Sequence, residues 1–168
     1  MTTTPRKIDK LIVGGILFVL FSLSCSRNEV FFEYEPVSPG GWKTTDTLFF
    51  CPKIKDTQAV YDVFIEVRND NQYLYQNLWL YVSGLNGAET AQPRPIEILL
   101  ADEFGKWNGK GFSFVYEVSI PYLQGVRFSR HSQSVGDSTM TVAIRHGMDD
   151  NPLKGLKNIG LRIVKREE

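Results

Sequence analysis

From Ala59 to Arg68 the odd positions are apolar, Ala59, Tyr61, Val63, Ile65 and Val67, while Asp62, Glu66 and Arg68 fall on even ones. A period of two with one wet face specifies a strand of an antiparallel sheet. The pattern returns at Phe112, Phe114, Tyr116, Val118 and Ile120, where Pro121 is expected to stop it. It returns again at Met140, Val142 and Ile144, and at Ile159, Leu161 and Ile163. Thr47 to Cys51, Leu78 to Ser83 and Ile96 to Leu100 are apolar on both faces or nearly so, which predicts central strands. Beyond the first 25 residues no window of twelve or more shows clean apolar spacing at 3.6, and Gly or Pro interrupts most candidates. Seven or eight strands with apolar faces that need a partner predict an all-β fold, a two-sheet antiparallel β-sandwich. It should be jelly-roll-like, since the cysteine pair and central tryptophan of the immunoglobulin pattern are missing.

The first 25 residues are a separate object. Arg6, Lys7 and Lys10, diluted by Asp9, precede fourteen uncharged residues from Leu11 to Ser24. At 1.5 Å per residue that run spans about 21 Å, short of the roughly 30 Å core a permanent transmembrane helix crosses. Residues 1–24 therefore read as a signal peptide. The run ends in Phe21-Ser22-Leu23-Ser24-Cys25 and a polar Ser26-Arg27-Asn28-Glu29 follows, which resembles a bacterial lipobox with Ser22 where Leu is usual. In that chemistry the Cys25 thiol carries a diacylglyceryl group, the leader is cut before it, and the new amino terminus is usually acylated too, giving membrane attachment by two or three chains. The alternative is an ordinary secretory signal with a chance cysteine at its end. Residues 25–38, with Pro36, read as the lipidated terminus and a tether, and 39–168 as the sandwich domain.

Composition narrows function mainly by exclusion. The chain of 168 residues is 42% hydrophobic and 12% aromatic, enough for a core. Its 19 basic and 19 acidic residues carry no basic excess, which argues against nucleic acid as a partner. Loss of the leader, with three basic residues and one acidic, leaves 16 against 18, a mature charge of −2. Two cysteines exclude a disulfide-rich miniprotein and the common cysteine-based zinc sites. Once Cys25 is acylated, Cys51 has no partner and is expected to be a small buried residue.

Candidate chemistry is sparse. His131 lies in a polar loop and is expected to be solvated, and His146 marks a strand end, where a hydrogen-bonded structural role outweighs that of a general base. No G-x-S-x-G elbow occurs. Arg68-Asn69-Asp70-Asn71 and Asp149-Asp150-Asn151 follow strands and read as turns, without the spaced pattern of a calcium loop. Gly105-Lys106-Trp107-Asn108-Gly109-Lys110-Gly111 leads into a strand, so it reads as a turn with Trp107 packed over it, not as a phosphate cradle. No catalytic residue, metal or cofactor is assigned. Trp42, Trp79 and Trp107 with Tyr73, Tyr75 and Tyr81 open one alternative, a glycan-binding module that stacks sugars on Trp42 and Trp107.

Several segments then combine: Ser24-Cys25, Gly41-Trp42, Phe64 to Asn69 running on to Tyr73, Tyr75, Asn77 and Leu78, Gly105 to Gly111, Ile144 to Met148, and Gly155 to Ile163. In this order they resemble the GldH-type gliding-motility lipoproteins of the Bacteroidetes, over nearly the whole mature chain. The resemblance implies a lipoprotein of the cell envelope, at the outer membrane, associated with the gliding machinery and the linked type IX secretion apparatus and without known enzymatic activity. It carries over one residue with a defined chemical role, the lipid-bearing Cys25. An interaction or scaffold role with other envelope proteins as partners is the function it predicts.

Overall fold

The structure is a computed structural model that describes residues 28–85, 94–128 and 138–167. Eleven strands run in chain order as β1 (Glu29–Pro36), β2 (Leu48–Phe50), β3 (Lys53–Ile54), β4 (Tyr61–Asp70), β5 (Asn77–Ser83), β6 (Arg94–Leu99), β7 (Lys110–Phe112), β8 (Val115–Val126), β9 (Ser138–Thr139), β10 (Val142–His146) and β11 (Leu156–Lys165), and no helix occurs among the described residues. They form a five-stranded sheet, β1-β11-β4-β8-β7, a four-stranded sheet, β2-β10-β5-β6, and a two-stranded ribbon, β3-β9. Every pairing is antiparallel.

Setting aside the short β3, β7 and β9, the first strand pairs with the last, β1 with β11; the second with the next to last, β2 with β10; then β4 with β8, and β5 with β6. That is one long hairpin of paired strands. Rolling it up adds the contacts β11 to β4 and β10 to β5 and closes two sheets over one core, the double Greek key of a jelly roll. The alternation expected for β4 is met: Tyr61, Val63, Ile65 and Val67 are buried. They share the inter-sheet core with Leu78, Leu80, Val82, Ile144, Ile159, Leu161 and Ile163.

Four expectations are corrected. The stretch read as a tether contains β1, whose residues Glu29 to Pro36 pair with β11 from Val164 to Asn158, so the folded domain begins well before residue 39. The run from Phe112 to Ile120 is not one strand. Ser113 and Phe114 both have positive φ, 53° and 66°, and turn the chain so that Phe112 pairs with Val115 across a tight hairpin. Pro121 does not end β8, which continues to Val126. β7 pairs β8 only at Val115 to Glu117, so the edge bearing Pro121 has no described partner and a missing N–H costs no ladder bond there. Finally, of the three strands expected to be central, only β5 is; β2 and β6 form the edges of their sheet, which lets Phe49 and Leu99 stand 56% and 59% exposed.

The strands give the domain two ends. At the base lie the start of β1, the end of β11 and the start of β4; at the tip lie the β7–β8 hairpin and residues 71–76, 100–109 and 147–155.

Candidate functional site

The residue expected to carry lipid, Cys25, and the signal peptide 1–24 lie outside the described residues, as does His131. Asn28, three positions after Cys25, is fixed at the base: its carbonyl accepts from the Lys165 amide at 2.7 Å and its side-chain amide donates to Glu167 at 2.7 Å. Base charges are paired, Lys165 with Asp56 at 2.9 Å and Arg166 with Asp62 at 2.8 Å. These bonds hold both carboxyls, Asp56 and Asp62, below the usual range.

The two tryptophans offered for glycan stacking do not form a common face. Trp42 is 1% exposed, bridges Leu153 through backbone bonds of 2.8 Å in both directions, and donates its indole N–H to the Asp46 carbonyl at 3.0 Å. A ring buried on both sides cannot receive a sugar, and that reading loses half its platform. Gly41 makes the burial possible: with φ +104° and no side chain it approaches the Leu153 carbonyl, where a Cβ would sit at 2.9 Å. Trp107 is half-buried, 5.5 Å from the Tyr116 ring and 6.5 Å from Tyr73, which in turn meets Tyr75 at 5.8 Å. This aromatic row is the foundation of the tip.

His146 sits in the core at 3% exposure, its ring 5.3 Å from Trp42. Its ring nitrogens face the backbone of Trp42 and Lys43 without making a close hydrogen bond. Burial pushes its pKa down; the nearby backbone of Trp42 and Lys43 and the charge of Asp46 pull less strongly the other way. The acid whose charge reaches it is Asp46, while Glu66 faces outward from the other sheet and bonds Arg162.

Cys51 is exposed, not buried. The edge strand β2 ends at Phe50, which is fully buried, so the next side chain in the alternation points to solvent. The Asx clusters are only partly taken up by local bonds: Asp70 accepts from the Gln72 amide at 2.9 Å and pairs with Lys157 at 2.7 Å, Asp150 lies beside Tyr75 and raises its phenol pKa, and Asn69 is fully buried with its side-chain amide unpaired. Among the described residues no three His, Cys, Asp or Glu side chains converge as metal ligands.

A cluster on the outer face of the five-stranded sheet is legible only from the register. Tyr34, Gly160, Glu66 and Ser119 form one row across β1, β11, β4 and β8, and Phe32, Arg162, Phe64 and Pro121 form the next. Arg162 donates from Nε to Glu66 at 2.7 Å and from Nη2 to Ser119 at 3.0 Å, Ser119 donates to the same carboxylate at 2.8 Å, and the guanidinium lies 4.1 Å over the Phe64 ring. Arg68 bonds Glu117 at 2.6 Å and stacks 3.9 Å over Tyr34. Gly160 lets the Tyr34 ring cross its strand, since a Cβ there would lie 2.7 Å from that ring. Glu66, on the face the alternation marks as wet, is thereby 3% exposed.

Comparison with known proteins covers nearly the whole folded region. A family model described as GldH lipoprotein matches residues 29–163. "Gliding motility lipoprotein GldH homolog" of Christiangramia forsetii is 30% identical over 169 residues, covering 96% of this chain and 99% of that protein. "Gliding motility lipoprotein GldH" of Flavobacterium johnsoniae is 24% identical over 157 residues, covering 92% and 97%. With a match that spans β1 to β11, this chain belongs to the GldH lipoprotein family.

Proposed function

We propose that the protein is a lipid-anchored, non-catalytic interaction or scaffold protein of the cell envelope, held in the outer membrane through acylated Cys25 and acting in gliding motility and the linked type IX secretion machinery. The observation that carries the reading is the coincidence of the matched family region with the sandwich, directly behind a cysteine in a lipobox-like setting. Three residue steps lead from Cys25 to Asn28, a reach of at most about 11 Å, so a lipid on Cys25 keeps the base at the bilayer surface. Confinement to a membrane raises the effective concentration of partners that share it, and a modest contact surface then suffices without a catalytic centre.

The test is Cys25→Ala in the native host, followed by envelope fractionation and colony spreading. The expected result is release of the domain from membranes and loss of spreading, with the fold intact by circular dichroism. Retention of the variant in the membrane fraction overturns the lipid anchor.

A further inference from the structure

The two sheets treat the charges on their outer faces differently. On the five-stranded sheet Arg162 meets Glu66 at 2.7 Å and Arg68 meets Glu117 at 2.6 Å, all within one copy of the chain. On the four-stranded sheet Leu78, Leu80, Ile98 and Ile144 are buried in the core, so their neighbours along each strand point outward. Among the outward positions of β2, β10, β5 and β6 only Arg145 and Glu97 are charged, and both are exposed. None of the ion pairs among the described residues uses either one. Arg145 instead lies 5.1 Å over the Tyr81 ring, and Glu97 accepts from the Asn77 side-chain amide at 2.6 Å.

The register keeps the two apart. Arg145 on β10 stands opposite Tyr81, and Glu97 on β6 stands opposite Trp79, so β5 with its two outward rings lies between the charges. With strands about 4.8 Å apart and about 3.4 Å per residue, their backbones are roughly 12 Å apart, and the midpoint falls between Trp79 and Tyr81. Phe49 lies beyond Arg145 toward one corner of the sheet and Leu99 beyond Glu97 toward the opposite corner, 56% and 59% exposed. Along that diagonal the order is apolar, Arg145, the aromatic pair, Glu97, apolar. Reversed, it sets glutamate against arginine and an apolar residue at each end.

We propose that this face is the interface of a two-fold homodimer, in which Arg145 of each copy pairs with Glu97 of the partner subunit across a centre formed by Trp79 and Tyr81. A two-fold contact requires a surface complementary to itself, and opposite charges set evenly about an aromatic centre meet that requirement. A foreign partner would need no such symmetry. Trp, Tyr and Arg are also the residue types that anchor protein interfaces. The centre is open to approach: Gly147 beside it carries no side chain, and a Cβ there would lie 2.6 Å from the Tyr81 ring, so that ring covers the position. Nothing in this arrangement depends on the lipid at Cys25.

The experiment uses the full chain in intact cells. The photo-crosslinker p-benzoylphenylalanine replaces Trp79 or, as a control, Gln58 in the loop before β4. The expected result is an adduct of twice the chain mass from position 79 and not from 58. With the probe at 79, Arg145→Glu and Glu97→Arg should each reduce that adduct at least about tenfold, because each brings like charges together twice. Both side chains are exposed, so each variant should keep the parent's melting temperature within a few degrees. Co-expression of the two variants under different tags should restore an adduct that carries both tags, since the glutamates of one copy then meet the arginines of the other. No adduct of twice the chain mass from 79, an equal one from 58, or a charge reversal without effect overturns the proposal. So does the lack of a doubly tagged adduct. A large fall in melting temperature in either variant overturns it too, by showing that the charge serves the fold of a single copy.

Discussion

Replacing Arg162 by methionine should destabilise the fold far more than an ordinary surface change, because it strands a carboxylate that the sheet has already covered. Glu66 is 3% exposed and its partner Arg162 24% exposed, with 2.7 Å between Nε and Oε1. Removing one member of a buried pair costs roughly 3–5 kcal/mol, and the partial exposure of Arg162 places this one near the lower end, about 3 kcal/mol. The lost stacking on Phe64, now 4.1 Å from the guanidinium, adds about 0.5 kcal/mol. Glu66→Gln should cost less, about 1–2 kcal/mol, since Ser119 can still donate to the amide oxygen and Arg162 can turn to water. The double variant removes both charges and should cost less than the sum, with a coupling of about 1–2 kcal/mol. Urea unfolding followed by tryptophan fluorescence reads this directly. With a slope of about 2 kcal/mol per molar, Arg162→Met should move the midpoint down by roughly 1.5 M. A shift below about 0.5 M, or single-variant costs that simply add within about 0.5 kcal/mol, would refute the claim that Glu66 is held by this network.

Other outcomes follow from the core and edges. His146 has its pKa lowered by burial, so in the folded state it takes a proton at lower pH than in the unfolded chain. Stability should be insensitive to this group above its unfolded pKa of about 6.5 and should fall, by at most about 1.4 kcal/mol per pH unit, as pH drops toward the folded pKa. His146→Phe should flatten that slope in urea titrations between pH 7 and pH 5, and an unchanged slope would place the acid sensitivity elsewhere. Gly155→Ala should be severe, above about 4 kcal/mol, because φ is +84° and a Cβ would fall 2.0 Å from the Tyr73 nitrogen; a melting temperature within a few degrees of the parent would contradict the geometry. Cys51 should react with a maleimide in the native state at nearly the rate of the urea-unfolded chain, since it is exposed on an edge; protection of the thiol would return it to the core.

The alternation at β4, β10 and β11 is a local property of the chain, and it already specifies which side chains of those strands face the core. From it the two-sheet sandwich follows, because several half-apolar strands can bury their faces only against each other. What the sequence could not supply is everything set by which strand lies beside which. β1 looks like a polar, proline-ended tether until β11 offers it an edge. Cys51, expected inside, lies outside because β2 is short and ends at an edge, and Trp42 is inside because Gly41 and Leu153 close over it. Glu66 has the spacing of a solvent-facing charge, yet three neighbouring strands bring Arg162, Ser119 and Tyr34 across it.

The positive-φ hairpin at Ser113 and Phe114 marks the same limit most sharply, since no local turn signal announces it and only the pairing of β7 with β8 imposes it. Sequence by itself thus determined the main strands and the family pattern, both encoded by neighbours within a few residues. Tertiary structure alone decided the edges, the covered carboxylate and the outward face of the four-stranded sheet, because those depend on register between residues that the chain separates by tens of positions and only the rolled hairpin brings together.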